Sequence, residues 1–232
     1  MDQFFAGLQL ADIHNDIARN IVSLRISENL FDDLSDDGAD QQIAIEHELR
    51  IKPRTFESKA PIIHRPFEEA QWNEAIGYPF SKWAESRFSN GQYGVWYGGD
   101  TIETTVHETV HHWRNGFLAD AGFDQEGVSI ERKIYWVRCD AALLEMRHAV
   151  EKYPDLINPS DYSFTQQIGA RIHREGHPGL VTRSARCNGD VFAVMNPDVL
   201  SAPRQACFLT YQIKNGAVAV EREPGTLWFN VP

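Results

Sequence analysis

From about Ala60 onward, strand-type and helix-type apolar patterns follow one another without the regular beat of a doubly wound sheet. That irregular interleaving restricts the chain to a compact α+β arrangement. Pro61-Ile62-Ile63 reads as a short strand, and Phe67–Ile76 as a helix ended by Gly77 ahead of Pro79. The aromatic run Tyr93–Tyr97 is a strand candidate. Thr101 opens a helix that runs to about Trp113, with Asn115-Gly116 as its stop. Ile130–Cys139 alternates as a strand, Ala141–Tyr153 reads as a helix, and Ser163–Glu175 as another, ended by Gly176. Gly179–Thr182 and Val191–Met195 are apolar enough for buried strands, and Asn215-Gly216 between Phe208–Ile213 and Val218–Arg222 is a strong hairpin signal. No Gly-x-Gly-x-x-Gly follows a strand, so a Rossmann cofactor site is not indicated.

Residues 1–58 have another texture and read as an acidic, helical N-terminal extension to a domain over 59–232. Leu10, Ile13, Ile17, Ile21 and Leu24 recur at helical spacing, and Gln41–Leu49 is a second helix candidate. Between them Asp32–Asp40 lacks the ligand spacing of a calcium loop and reads as a solvated turn. The net charge of −11 is uneven: residues 1–50 hold eleven acidic residues against Arg19, Arg25 and Arg50, a balance of −8. The asymmetry suggests that the apolar stripe and acidic loop dock over a basic cleft or onto a partner. An acidic surface repels phosphate backbones, which disfavours nucleic acid as a partner. A small anion is still accommodated if a few arginines gather in one cleft. Three scattered cysteines, no apolar run near the ~18 residues of a membrane span and no visible secretory leader point to a cytoplasmic protein without a membrane segment.

Four segments carry candidate chemistry: His64-Arg65-Pro66-Phe67; Ser86-Arg87-Phe88-Ser89; Trp96-Tyr97 running to Glu108, eleven residues beyond Tyr97; and Gly179-Leu-Val-Thr-Arg-Ser184-Ala-Arg186. Their order and spacing over roughly residues 60–200 resemble the RES family, named for its Arg, Glu and Ser. Two positions depart from the pattern: Pro66 replaces an aromatic, and Thr182-Arg183 stand where members carry Tyr-Pro. The resemblance implies a split-sheet core like that of the ADP-ribosyltransferase toxins, with NAD⁺ in the cleft. It implies loss of nicotinamide to phosphate, water or a protein acceptor, and toxin activity silenced by an antitoxin or immunity protein. NAD⁺ would be the substrate, phosphate an optional co-substrate, and no metal or resident cofactor is called for.

Elementary chemistry agrees with those assignments. Breaking a glycosidic bond builds positive charge on the ribose, which a fixed carboxylate stabilises selectively. Glu108, on the first turns of a helix, is the candidate. Arg65 and Arg87 suit the diphosphate, since guanidinium groups bind phosphoryl oxygens in pairs. Tyr97 offers a ring for nicotinamide and a hydroxyl for the ribose. Ser184 can hydrogen-bond the ribose or the carboxamide and has no spaced His and Asp partners to make it a nucleophile. Ser163, on the helix before it, is a second serine candidate that the resemblance brings in.

Taken singly, each residue has a plainer reading: an arginine in a surface ion pair, a core tyrosine, a solvated helix glutamate, a strand-end hydroxyl. Their joint order is what favours the enzyme. Three alternatives stay open. One is transfer of ADP-ribose to a protein. Another is a binding module without catalysis. The third is a zinc metallopeptidase, because His107-Glu108-Thr-Val-His111 places two imidazoles on one helix face with a glutamate beside them. The longer metzincin pattern fails, with Arg114 and Phe117 at its next positions.

Overall fold

The computed structural model describes residues 1–23, 71–118 and 125–232. The expected strand at Pro61–Ile63, the segment His64–Arg65, the start of the Phe67–Ile76 helix, the Asp32–Asp40 loop and the Gln41–Leu49 helix lie outside the described residues. After a single helical turn, α1 (Asp2–Phe5), the chain enters β1 (Gln9–Val22). A π-helical turn (Asn73–Gly77) leads into α2 (Tyr78–Ser81), followed by the two-residue strands β2 (Glu85–Ser86) and β3 (Ser89–Asn90) and by β4 (Trp96–Gly99). Next come α3 (Ile102–His112) and β5 (Ser129–Glu145), then α4 (Ser163–Glu175), β6 (Gly179–Arg183) and β7 (Asp190–Val194). The last described elements are β8 (Leu200–Lys214), β9 (Ala217–Glu223) and β10 (Thr226–Val231). The α+β class read from the sequence is the class observed.

The segment Leu10–Ile21, expected to be helical, is instead a strand paired without interruption against β5, from Gln9↔Glu145 to Val22↔Arg132. Residues four apart share a face in a helix and also in a strand, so Ile13, Ile17 and Ile21 fit both periods. Leu10, three residues before Ile13, separates the two: it lies on the opposite face and is 60% exposed, while Ile13 and Ile17 are buried. The apolar stripe is therefore part of the core and not a free docking surface. The same pairing corrects the Ala141–Tyr153 helix. Ala141 to Glu145 have good helix propensity, but they extend β5, held by β1 on one edge and by β6 through Leu144↔Leu180 and Glu145↔Val181 on the other. Ladder bonds on both edges outweigh a few tenths of a kcal/mol of local preference per residue.

The pairings β1–β4–β7–β6–β5 return to β1 and close a ring, with β8, β9 and β10 continuing outward from β5. The sheet splits along β5, whose second edge serves β8 over Ser129–Cys139 and β6 over its last two residues. Inside the ring lie Ile13, Ile17, Trp96, Val137, Leu143, Val181 and Phe192, drawn from all five of its strands. Alternate residues of β6 and β7, Leu180 and Ala193, turn the other way and meet Ile168 and Ile172 of α4. Val106 and Val110 of α3 pack on Ile134, Leu209, Tyr211 and Val220 of the outer strands. Each half of the split sheet thus carries one helix. No helix among the described residues is long and apolar enough to cross a membrane.

Candidate active site

The cleft floor is a row of backbone that crosses four strands through the registers Thr182↔Val191, Val191↔Gly99 and Gly99↔Ala18. Its roof is α3, which begins at Thr101, whose side chain accepts the Thr104 N–H at 3.0 Å. Thr105, Glu108, Thr109 and His112 recur at helical spacing along the face that lines the cleft. Roof and floor come together because Gly99 has no side chain: a Cβ there would stand 2.9 Å from Thr105 Cγ2. Gly98 faces the ring interior instead, where a Cβ would stand 2.5 Å from Ile17 Cγ2. The space under the roof, with its open mouth, is about 870 Å³.

Glu108 and Ser184, 76 residues apart in sequence, meet here: the Ser184 hydroxyl donates to Glu108 Oε1 at 2.5 Å. Ser184 Oγ accepts the backbone N–H groups of Arg186 at 3.0 Å and Cys187 at 3.2 Å. With both lone pairs occupied, the one hydroxyl proton is directed at the carboxylate. The turn after β6 thereby fixes the serine and the serine fixes the glutamate. This geometry suits a positioning group and leaves Ser184 without the imidazole base that a nucleophile needs.

Tyr97 forms part of the wall. Its hydroxyl accepts the Phe88 N–H at 3.0 Å and is bonded to Ser86 Oγ at 2.9 Å, and burial pushes its pKa up to about 12. The hydroxyl expected to orient a ribose is thus engaged in holding the β2–β3 turn, and the ring is what the cleft receives. Arg87, next to Ser86, donates to the carbonyl of Asn158 at 2.8 Å and lies 4.5 Å from the Tyr162 ring centroid. Burial lowers its pKa, while Tyr162 and Glu108 favour its charged form.

Sequence reasoning missed Arg19 and Asn20, which also line the cleft. The Arg19 guanidinium donates to the Tyr97 carbonyl at 2.7 Å, and its Nε is enclosed without a partner. Burial, with Arg132 adding repulsion, lowers its pKa to about 10, so it stays charged at neutral pH. Asn20 Oδ1 accepts Arg132 Nε at 2.8 Å, while its Nδ2 donates to Tyr211 Oη at 2.8 Å and to the hydroxyls of Thr105 and Thr109. This buried network ties β1 to the turn of α3 that carries Glu108. The only available signal was Arg19 and Asn20 flanked by Ile17, Ala18 and Ile21, and a helical reading of that segment hides it.

The remaining predicted residues fall elsewhere. Arg65 lies outside the described residues. Ser163 is exposed at the start of α4, its N–H bonded to Asp161 at 2.8 Å, and does not line the cleft. Of the His-Glu-x-x-His set, His107 stacks 5.8 Å from Phe229, His111 Nδ1 bonds Asn115 Nδ2 at 2.8 Å, and Glu108 is taken up by Ser184. Among the described residues no three His, Cys, Asp or Glu side chains gather as a metal-binding group.

Fold and site together define an α+β protein with a single oriented carboxylate in a cleft lined by guanidinium groups and aromatic surface. The RES domain profile matches residues 59–214, well over half of the chain, and the chain belongs to the RES domain family. A solved structure of the M. tuberculosis MbcT–MbcA toxin–antitoxin complex contains a similar chain, with 11% identity, a TM-score of 0.48, and coverage of 88% of this chain and 90% of that one. No curated protein sequence matches.

Proposed function

We propose that this protein cleaves the nicotinamide–ribose bond of NAD⁺ and acts as a cytoplasmic toxin restrained by an antitoxin or immunity protein. The observation that carries the reading is the Ser184–Glu108 hydrogen bond inside a cleft whose other charges are mainly cationic. As the bond from ribose C1 to the nicotinamide nitrogen breaks, its electron pair leaves with nicotinamide, which becomes neutral. The ribose gains oxocarbenium character, and a carboxylate hydrogen-bonded to the ribose hydroxyls stabilises that charge more than it stabilises the substrate. Ser184 limits the carboxylate to one orientation, so little reorganisation accompanies the reaction. The Tyr97 ring receives the nicotinamide, and Arg87 attracts the diphosphate. Capture by phosphate gives a ribosyl phosphate; capture by water gives ADP-ribose and a proton.

The test is incubation of the purified protein with NAD⁺, with and without phosphate, and mass analysis of the products. Nicotinamide is expected to appear, and the second product identifies the acceptor. Glu108→Gln is expected to abolish release with the fold intact. Wild-type turnover by that variant, or no nicotinamide from the wild type under either condition, overturns the reading.

A further inference from the structure

We propose that Arg19, carried by a strand outside the segment matched by the family profile, binds a phosphoryl group of the substrate at the end of the cleft away from Ser184. The inference rests on the NAD⁺ reading for the identity of the substrate, but its structural basis is separate. Arg19 follows Ala18, the β1 member of the floor row, whose other end is Thr182 of β6. It uses one donor on the Tyr97 carbonyl, its Nε is enclosed and unbonded, and among the described residues no carboxylate pairs with it.

A desolvated cation without a counter-charge is unfavourable unless something of opposite charge arrives. The second guanidinium nearby cannot offset it: Arg132 has the same sign and is directed at Asn20. Arg87, by contrast, is engaged with the Asn158 and Leu156 carbonyls and with the Tyr162 ring. Among the described residues that line the cleft, Arg19 is the guanidinium held by a single carbonyl, with the Trp96 ring centroid 5.5 Å away. At the opposite end Thr182 Oγ1 is also enclosed, lines the cleft and has no hydrogen-bond partner. Unpaired polar atoms on Arg19 and Thr182 suit a ligand that is anionic at one point and polar at another. Because β1 precedes residue 59, this brings a strand outside the matched segment into the binding site.

The experiment measures binding of pyrophosphate to the full chain, and of NAD⁺ to the full chain carrying Glu108→Gln so that nothing turns over. Each is compared with the same protein carrying Arg19→Gln or Arg19→Lys. Arg19→Gln is expected to weaken both ligands by about tenfold to a hundredfold, the range for a charge-assisted hydrogen bond. Arg19→Lys is expected to fall between it and the parent, and adenosine, which has no phosphate, should bind all three alike. Unchanged pyrophosphate affinity in Arg19→Gln overturns the proposal; if that variant does not fold, unchanged affinity in Arg19→Lys does so. Absence of pyrophosphate binding by the wild type also overturns it. Loss of pyrophosphate binding in the variant with no NAD⁺ cleavage by the wild type would leave the anion site standing and remove the NAD⁺ reading. Cleavage with unaltered binding would do the reverse.

Discussion

Ser184→Ala separates a positioning serine from a nucleophilic or incidental one. The change deletes one donor to Glu108 at 2.5 Å and one acceptor shared by the N–H groups of Arg186 and Cys187. A hydrogen bond to a charged group contributes about 1.5–3 kcal/mol. If Glu108 needs that bond to hold its transition-state geometry, and each 1.36 kcal/mol is about tenfold in rate, nicotinamide release should slow by roughly tenfold to a hundredfold. The two N–H groups lose their acceptor at about 1 kcal/mol each, roughly 2 kcal/mol together. In a chain of this size that lowers Tm by about 4–8 °C. The assays are steady-state nicotinamide release and thermal denaturation on the same preparation, with the loss expected in kcat more than in KM. A fall beyond about 10⁴-fold together with a covalent adduct on wild-type Ser184 would show a nucleophile. Wild-type kcat and Tm in the variant would show that the contact does nothing. Either result refutes the reasoning.

Asn20→Ala removes the Arg132 Nε acceptor and three donated contacts at once, leaving a buried guanidinium short of partners. A loss of roughly 3 kcal/mol is expected, visible as a Tm lower by about 6–12 °C; a shift under 2 °C would contradict the buried network. Burial, and then the charges of Arg186, His112 and Arg87, lower the His111 pKa from 6.5 to about 4, and burial lowers that of His112 as well. Between these values the unfolded chain binds the proton more readily, so this contribution to stability is full above about pH 6.5 and is lost as pH falls toward 4. Comparing Tm against pH for the wild type and His111→Gln cancels the other titrating groups; the variant should have the flatter profile across that window, and parallel profiles would contradict the assignment.

Much of the site could be read before any coordinates. Glu108 on a capped helix and Ser184 directly after β6 stand on the elements that local pattern indicates, while the partners of these two, of Tyr97 and of Arg87 come only through folding. The Asn215-Gly216 hairpin and the Gly176 helix end were equally legible, because positive φ at those positions selects Asn and Gly.

What local pattern left undecided was the conformation of Leu10–Ile21 and Ala141–Glu145. Four-residue spacing is compatible with both secondary structures, and the choice was made by a partner strand more than a hundred residues away. Arg19 and Asn20 entered the cleft by the same pairing. Chemistry-bearing residue types are a property of the sequence. Which hydroxyl reaches the carboxylate, which serine remains in solvent and which cation is left without a counter-charge depend on distances that only the assembled sheet defines.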